Sequence, residues 1–436
     1  MLLIVLLALI VLVLLITVGK VNPFLSFLIV SIGAGIALGM PVDKVTKSVE
    51  KGLGDMLGSI VIIIALGAML GKLIAETGAA QSIASSIMRK VGLKHMQWAL
   101  VVVGFIIGIP LFYGVGFVLV IPLIFSVVYQ YKLPAVYIGL PMLAALSVAH
   151  GYLPPHPSPS ALVIQFGGNM GLTLIYGILI AIPAIILAGP VFARTLKNIQ
   201  ATPLETFRPN FMPENELPKA SISFIAALLP VVLFMVTSFL PLLIPVDSPL
   251  RKWAVFFGEP SIVMLIALIF ATYAIGIRQG KSMNELMVIY VEAVKDIAMI
   301  LLIIGGAGAL KQVLTDSGVS QVIADQLQHI SLPPLFLGWL IACIIRVAVG
   351  SATVAGFTAA GIIQPLMIQT ATNPNLMVLS IGAGSLMFSH VNDSGFWLFK
   401  EFFNTSIKDT LRSWSLMETI VAIAGLGGVL LLNLIV

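Results

Sequence analysis

The residues in this 436-residue chain that could do chemistry are few, and they cluster. Residues 150–160 read HGYLPPHPSPS and place His150, His156, Ser158 and Ser160 among four prolines. Residues 389–400 read SHVNDSGFWLFK and place His390, Asn392, Asp393 and Ser394 together. Arg346 stands just before Gly350, Ser351 and Thr353 in RVAVGSATVAG, and Tyr113, Gly114 and Gly116 fall in the short stretch FYGVGF. A carboxylate beside histidines can accept and pass a proton, because histidine titrates near neutral pH. A guanidinium grips carboxylates bidentately, and glycines and hydroxyls let a small polar ligand approach backbone. Each feature also has a plainer role. Asp393 could cap a helix, Arg346 could pair with Asp393 or tie backbone carbonyls, the histidines could hydrogen-bond in packing, and the glycines could serve helix packing. Hydrolytic chemistry lacks its motifs, since neither GxSxG nor HExxH occurs. No metal or other cofactor is expected: no acidic residue lies near His150 or His156, and the single cysteine, Cys343, is remote from them in an apolar run.

These polar stretches sit in an apolar chain, 59% hydrophobic and 9% charged, with a mean hydropathy of +1.11. Soluble domains carry about 25% charge, so the composition excludes a soluble globular protein. The net charge of +5 does not imply a nucleic-acid partner; in a membrane protein it reflects basic loops. The first twenty residues lack a basic n-region and a small-x-small cleavage site, and are expected to form a retained first helix.

Fourteen apolar segments are expected, near 2–18, 24–40, 57–75, 98–112, 115–130, 136–149, 172–194, 221–244, 260–277, 297–314, 335–348, 352–370, 376–389 and 415–435, half on each side of a polar stretch at 197–219. GAMLGKLIAETGAAQSIA (67–84) aligns with AGALKQVLTDSGVSQVIA (307–324) at an offset of 240, and the same offset pairs His150 with His390. This argues for an internal duplication: a first repeat at 1–196, a cytoplasmic linker at 197–219 and a second repeat at 220–436. If 98–112/115–130 and 335–348/352–370 are re-entrant hairpins, each half crosses five times and the repeats are inverted. Lys20, Arg89, Lys90, Lys94, Lys132, Arg194, Lys197, Arg208, Lys219, Arg278, Lys281, Lys295, Lys400, Lys408 and Arg412 then share one side, against Lys44, Lys47, Lys51, Arg251 and Lys252 on the other. The richer side is cytoplasmic by the positive-inside rule, which places both termini outside. Lys72 and Lys311 are expected to snorkel to interfaces. Asp393 is expected to be the only deeply placed acid. The expected class is an all-α polytopic membrane protein of two inverted repeats, each with a re-entrant hairpin and a broken transmembrane helix. Paired breaks in corresponding positions point to a binding site.

At these residues the chain resembles the gluconate:proton symporter (GntP) family of bacterial permeases, within the ion transporter superfamily. The resemblance runs over essentially the whole chain and is carried by 37–60, 65–84, PMLAALSVAHGYLPPHPSPSAL (141–162), RVAVGSATVAG and SHVNDSGFW. It implies a secondary transporter of the bacterial inner membrane, not an enzyme, that imports gluconate or a related sugar acid by proton symport. Branches of the family carry other small carboxylates, D-serine among them. A sodium-coupled carboxylate carrier is the other alternative, and dimers are usual in the superfamily, so a homodimer is an expectation. In this reading Tyr113, Gly114, Gly116, His150, Ser158, Ser160, Arg346, Gly350, Ser351, Thr353, Asn392 and Ser394 line the substrate cavity, and Asp393 with His390, His150 or His156 handles the proton.

Overall fold

The computed structural model describes residues 1–108, 113–154, 156–208, 212–245, 247–319, 322 and 332–436, and among them it contains helices and no strand. In chain order the first half has α1 (Leu2–Thr17), α2 (Pro23–Ala37), α3 (Val42–Glu76), α4 (Ala79–Gly108), α5 (Tyr113–Tyr131), α6 (Ala135–Tyr152), α7 (Pro157–Phe166) and α8 (Met170–Ile186). The second half has α9 (Ala220–Leu243), α10 (Pro249–Gly258), α11 (Pro260–Ala271), α12 (Met283–Asp316), α13 (Pro334–Val349), α14 (Ala352–Gln369), α15 (Pro374–Gly384), α16 (Ser394–Phe403) and α17 (Leu416–Leu432). A turn at Ile407–Thr410 runs through a π-helical turn at Leu411–Ser415 into α17.

Local sequence explains where several helices start. Asn22 accepts from the backbone N–H of Phe24 and Leu25 ahead of α2, with Pro23 in the first turn, and Asn373 with Pro374 does the same for α15. Ser282 and Glu285 close a reciprocal capping box at the start of α12.

The long helices differ most from expectation. The apolar stretches at 57–75 and 297–314 are only the C-terminal parts of α3, 35 residues, and α12, 34 residues. At 1.5 Å per residue each spans about 50 Å, well beyond a ~30 Å hydrocarbon core. They pack along one another and approach closely where two glycines meet. A Cβ on Gly52 would lie 2.5 Å from the Gly308 carbonyl oxygen, and one on Gly308 would lie 2.6 Å from the Gly52 oxygen.

The two expected hairpins appear as α4–α5 and α13–α14. The first is longer than expected, because α4 begins at Ala79 and kinks at Gly92, whose φ of 70° is not helical. Its tip at 109–112 lies outside the described residues. Tyr113, Gly114 and Gly116, expected in the loop, instead form the first turn of α5. The second tip is Gly350–Ser351, with Gly350 in the left-handed region at φ +76°. Gln321, Ile323 and Ala324, which carry part of the internal likeness, also lie outside the described residues.

Both helix breaks are present, but they differ. In the first half α6 continues through His150 to Tyr152, and the chain restarts helix after His156; Pro155 lies outside the described residues. In the second half α15 stops at Gly384, and nine residues pass before α16 begins at Ser394. The short α16 is buried almost all round in an aromatic cluster. Phe399 stacks on Phe403 at 4.5 Å, Trp397 meets Phe27 at 5.3 Å, and Phe117 meets Phe402 at 5.4 Å. The segment at 197–219 does not hang free. Leu204 donates its N–H to the Phe402 carbonyl, Thr206 bonds Asp296, and Gln81 brackets Met212 through two hydrogen bonds. Lys72 pairs with Glu292 at 3.1 Å and Asp296 at 3.2 Å on α12.

Candidate functional site

A cavity of about 210 Å³ lies where the two hairpins, the second break and the α3–α12 pair meet. Tyr113 and Gly114 reach it from the first hairpin, and Gly350, Ser351 and Thr353 from the second. Asn392, Asp393, Ser394 and Gly395 enter from the break, Arg346 from α13, and Ser147 and His150 from α6. Three helix N-termini therefore converge on it, those of α5, α14 and α16. The unbonded N–H groups of such ends favour a negative charge.

Arg346 is only 5% exposed and is held by Asp393, with Nη2 to Oδ2 at 2.5 Å. Ser389 donates its hydroxyl to the same carboxylate, Trp414 donates its indole N–H to Ser389 at 2.8 Å, and the Gly395 N–H reaches Asp393 Oδ1 at 3.3 Å. Asp393 thus caps α16 and anchors the guanidinium at once. Gly350 makes this possible, because a Cβ there would sit 2.2 Å from the Asn392 carbonyl oxygen. Asn392 in turn donates to the Val347 and Ala348 carbonyls at 2.9 and 3.3 Å, satisfying the C-terminal turn of α13.

Five expected site residues stand elsewhere. His390 is buried against the Val347 carbonyl at 2.9 Å and supports the hairpin. Gly116 faces α6, where a Cβ would meet Leu146 at 2.6 Å. Ser158 lies beside Gly356, and Ser160 is on α7; neither lines the cavity. The polar, proline-rich sequence is spent on restarting a helix rather than on facing the cavity. His156 sits behind His150, with Nε2 2.8 Å from His150 Nδ1. That Nδ1 also lies 3.3 Å from the Tyr113 N–H, so the network assigns Nδ1 as the acceptor and leaves His150 neutral.

Two charged cavity residues were not expected there. Lys311, expected at an interface, lines the cavity from the C-terminal part of α12. Glu418 on α17 is 2% exposed, so Asp393 is not the only deep acid. Glu418 Oε1 accepts the Ser147 hydroxyl at 2.6 Å.

The cavity has hydrogen-bonding capacity to spare. Tyr113 Oη, Arg346 Nε, Asn392 Oδ1 and Glu418 Oε2 are all buried and have no hydrogen-bond partner among the described residues. An unmet buried polar atom costs about 1–3 kcal/mol, and a group of them around one cavity calls for an explanation. A small hydroxylated anion would supply acceptors for the guanidinium and donors for Asn392 and Glu418.

The family described as GntP family permease matches residues 1–435. A high-affinity gluconate transporter of Escherichia coli (strain K12) is 46% identical over 96% of this chain and 95% of its own. A gluconate permease of Bacillus subtilis (strain 168) is 44% identical over 96% of each chain, and the Gnt-II system L-idonate transporter of Escherichia coli (strain K12) is 43% identical over 95% of this chain and 94% of its own. Among solved structures, the YdaH transporter of Alcanivorax borkumensis matches 94% of this chain and 97% of its own at 16% identity and a TM-score of 0.43. The chain belongs to the GntP family of permeases and is a multi-pass membrane transport protein, not an enzyme.

Proposed function

We propose that this permease carries gluconate or a closely related six-carbon sugar acid across the bacterial plasma membrane together with a proton, by alternating access. The observation that carries the reading is the meeting of three helix N-termini, Arg346 and Lys311 in one cavity whose lining also has unmet hydrogen bonds. Positive ends and two basic side chains suit a carboxylate. Ser351, Thr353, Ser394, Asn392 and Tyr113 offer hydroxyl and amide partners to a polyol chain. The relatives named for gluconate and for L-idonate point to the same substrate class.

The transport cycle we propose uses two inverted repeats, 1–196 and 220–436, joined by a cytoplasmic 197–219, with both termini outside. The uneven distribution of lysine and arginine supports the orientation. The approach of both hairpin ends to one cavity supports the repeat arrangement. Asp393 holds Arg346 in place for the substrate carboxylate.

Purified protein in liposomes, given labelled gluconate with an acid-outside gradient, tests this. Accumulation that a protonophore abolishes, and that L-idonate but not D-serine competes, is the expected result. Accumulation that follows a sodium gradient and ignores pH would refute the coupling, and absence of any gluconate binding would refute the substrate.

A further inference from the structure

We propose that Glu418 is the residue that takes up the transported proton and releases it, in step with the substrate anion in the same cavity. The inference rests on the reading of this chain as a proton-coupled sugar-acid carrier and names the group that does the coupling.

Three candidates face the cavity. Asp393 is committed to Arg346, Ser389 and the N-terminus of α16. His150 accepts from the Tyr113 N–H and is engaged by His156. Glu418 differs from both. It is 2% exposed, Ser147 is its neutral donor on Oε1, and its Oε2 has no hydrogen-bond partner among the described residues. No basic side chain lies within ion-pair distance of it among the described residues. A carboxylate buried with one hydroxyl donor is poorly compensated, whereas the neutral acid can donate through Oε2 into the cavity.

The surroundings of Glu418 are sparse in charge. Of the elements packed on α17, α6 brings His150 and Tyr152, α13 brings Arg346 and the thiol of Cys343, α8 has Tyr176 as its only titratable residue, α15 and the turn at 187–191 have none, and the turn at 411–415 has Arg412, which is exposed. Tyr113, Lys311 and Asp393 share the cavity. Tyr152 Oη is already committed to the Val421 carbonyl. The π-helical turn at Leu411–Ser415 sits one turn before Glu418, and its Trp414 and Ser415 both bond Ser389. Glu418 is thereby tied through α17 to the segment that holds Asp393. Such single-turn irregularities recur where a helix must aim a functional side chain.

Charge balance gives a reason for one proton per substrate. Arg346 and Lys311 are formally cationic, and Asp393 and Glu418 formally anionic, so the empty cavity is neutral. A monoanionic sugar acid alone leaves it at minus one, and a proton on Glu418 alone leaves it at plus one. With both aboard it is neutral again. The two neutral states are the ones that can be moved past a low-dielectric barrier cheaply. In the cycle, an O–H bond forms at Oε2 with a proton from the outer phase. The same bond breaks on the inner side, giving the proton to water, and no other bond changes.

The test measures gluconate affinity of the full-length protein against pH, together with gradient-driven accumulation in liposomes. In the wild type affinity is expected to fall about tenfold per pH unit above the midpoint, as linkage of one proton to one substrate requires. In Glu418→Gln the affinity is expected to be independent of pH and the gradient is expected to drive no accumulation. Wild-type slope and accumulation in Glu418→Gln would overturn the proposal, as would a slope that survives there but vanishes in Asp393→Asn. If Glu418→Gln does not fold, Ser147→Ala, which deletes the donor to Oε1, should displace the pH profile by about one unit; a profile superimposable on the wild type would overturn the proposal. A wild type that binds no gluconate at any pH defeats the substrate reading, and the assignment of Glu418 falls with it.

Discussion

The ion pair between Arg346 and Asp393 makes a quantitative prediction. The two groups meet at 2.5 Å with side chains 5% and 13% exposed. At an effective dielectric of about 20, opposite charges ~4 Å apart attract by about 4 kcal/mol. Removing one partner of a buried pair leaves the other uncompensated and costs about 3–5 kcal/mol. Arg346→Met and Asp393→Asn should therefore each destabilise the protein by roughly that amount. The double variant should cost far less than the sum, with a coupling of about 2–3 kcal/mol. Equilibrium unfolding by SDS titration in mixed micelles, without substrate, reads all three values. Arg346→Met should also weaken gluconate binding by about 10–150-fold, since a hydrogen bond to a charged group contributes about 1.5–3 kcal/mol. Additive costs, within about 0.5 kcal/mol, would refute the pair as an energetic unit. Unchanged gluconate affinity in Arg346→Met would refute its place in the substrate site.

Gly350→Ala forces a left-handed residue and a 2.2 Å overlap with the Asn392 carbonyl; it should destabilise by more than about 1 kcal/mol and lower transport, seen by unfolding and uptake together. Gly308→Leu should separate α3 from α12, whose backbones meet at Gly52 and Gly308, and yield protein that aggregates on size-exclusion chromatography; Gly54→Ala, where a Cβ meets nothing, should elute as the wild type. At the start of α12, Ser282 holds the exposed Glu285 carboxylate below its ordinary range through side-chain and backbone hydrogen bonds. A lowered folded-state value means the capping box contributes above pH 4.5 and is lost as pH falls below it. Amide exchange at 283–286, corrected for its intrinsic rate, should quicken in acid, and should not respond to acid in Glu285→Gln.

What was legible in the sequence follows from what membranes penalise. Arg346 and Asp393 stood out because ionisable residues inside apolar runs are expensive, and both lie in the cavity. Gly350 and Ser351 were legible because glycine and hydroxyls interrupt an otherwise apolar pair of helices. HGYLPPHPSPS was half legible. Its prolines do mark the break, but which polar residues face inward depends on helix phase after the restart, and Ser158 and Ser160 turn away while His150, still in α6, faces in. Lys311 was misplaced although the end of α12 was legible to within two residues. Hydropathy does not report that α3 and the hairpins enclose that end around a cavity, so a lysine near it looked interfacial. Glu418 was hidden by its place at the edge of an apolar stretch, LRSWSLMETIVAIAG, where an acid looks like an interfacial residue. The signal that could have found it is the run of hydroxyls around it, Ser413, Ser415 and Thr419, each of which bonds a backbone carbonyl. A polar patch at the start of a membrane helix satisfies itself locally when it meets lipid headgroups. Here Ser415 instead reaches across to Ser389 in the broken segment. The start of α17 is therefore an interior element, and an acid carried there is placed against the cavity rather than against water.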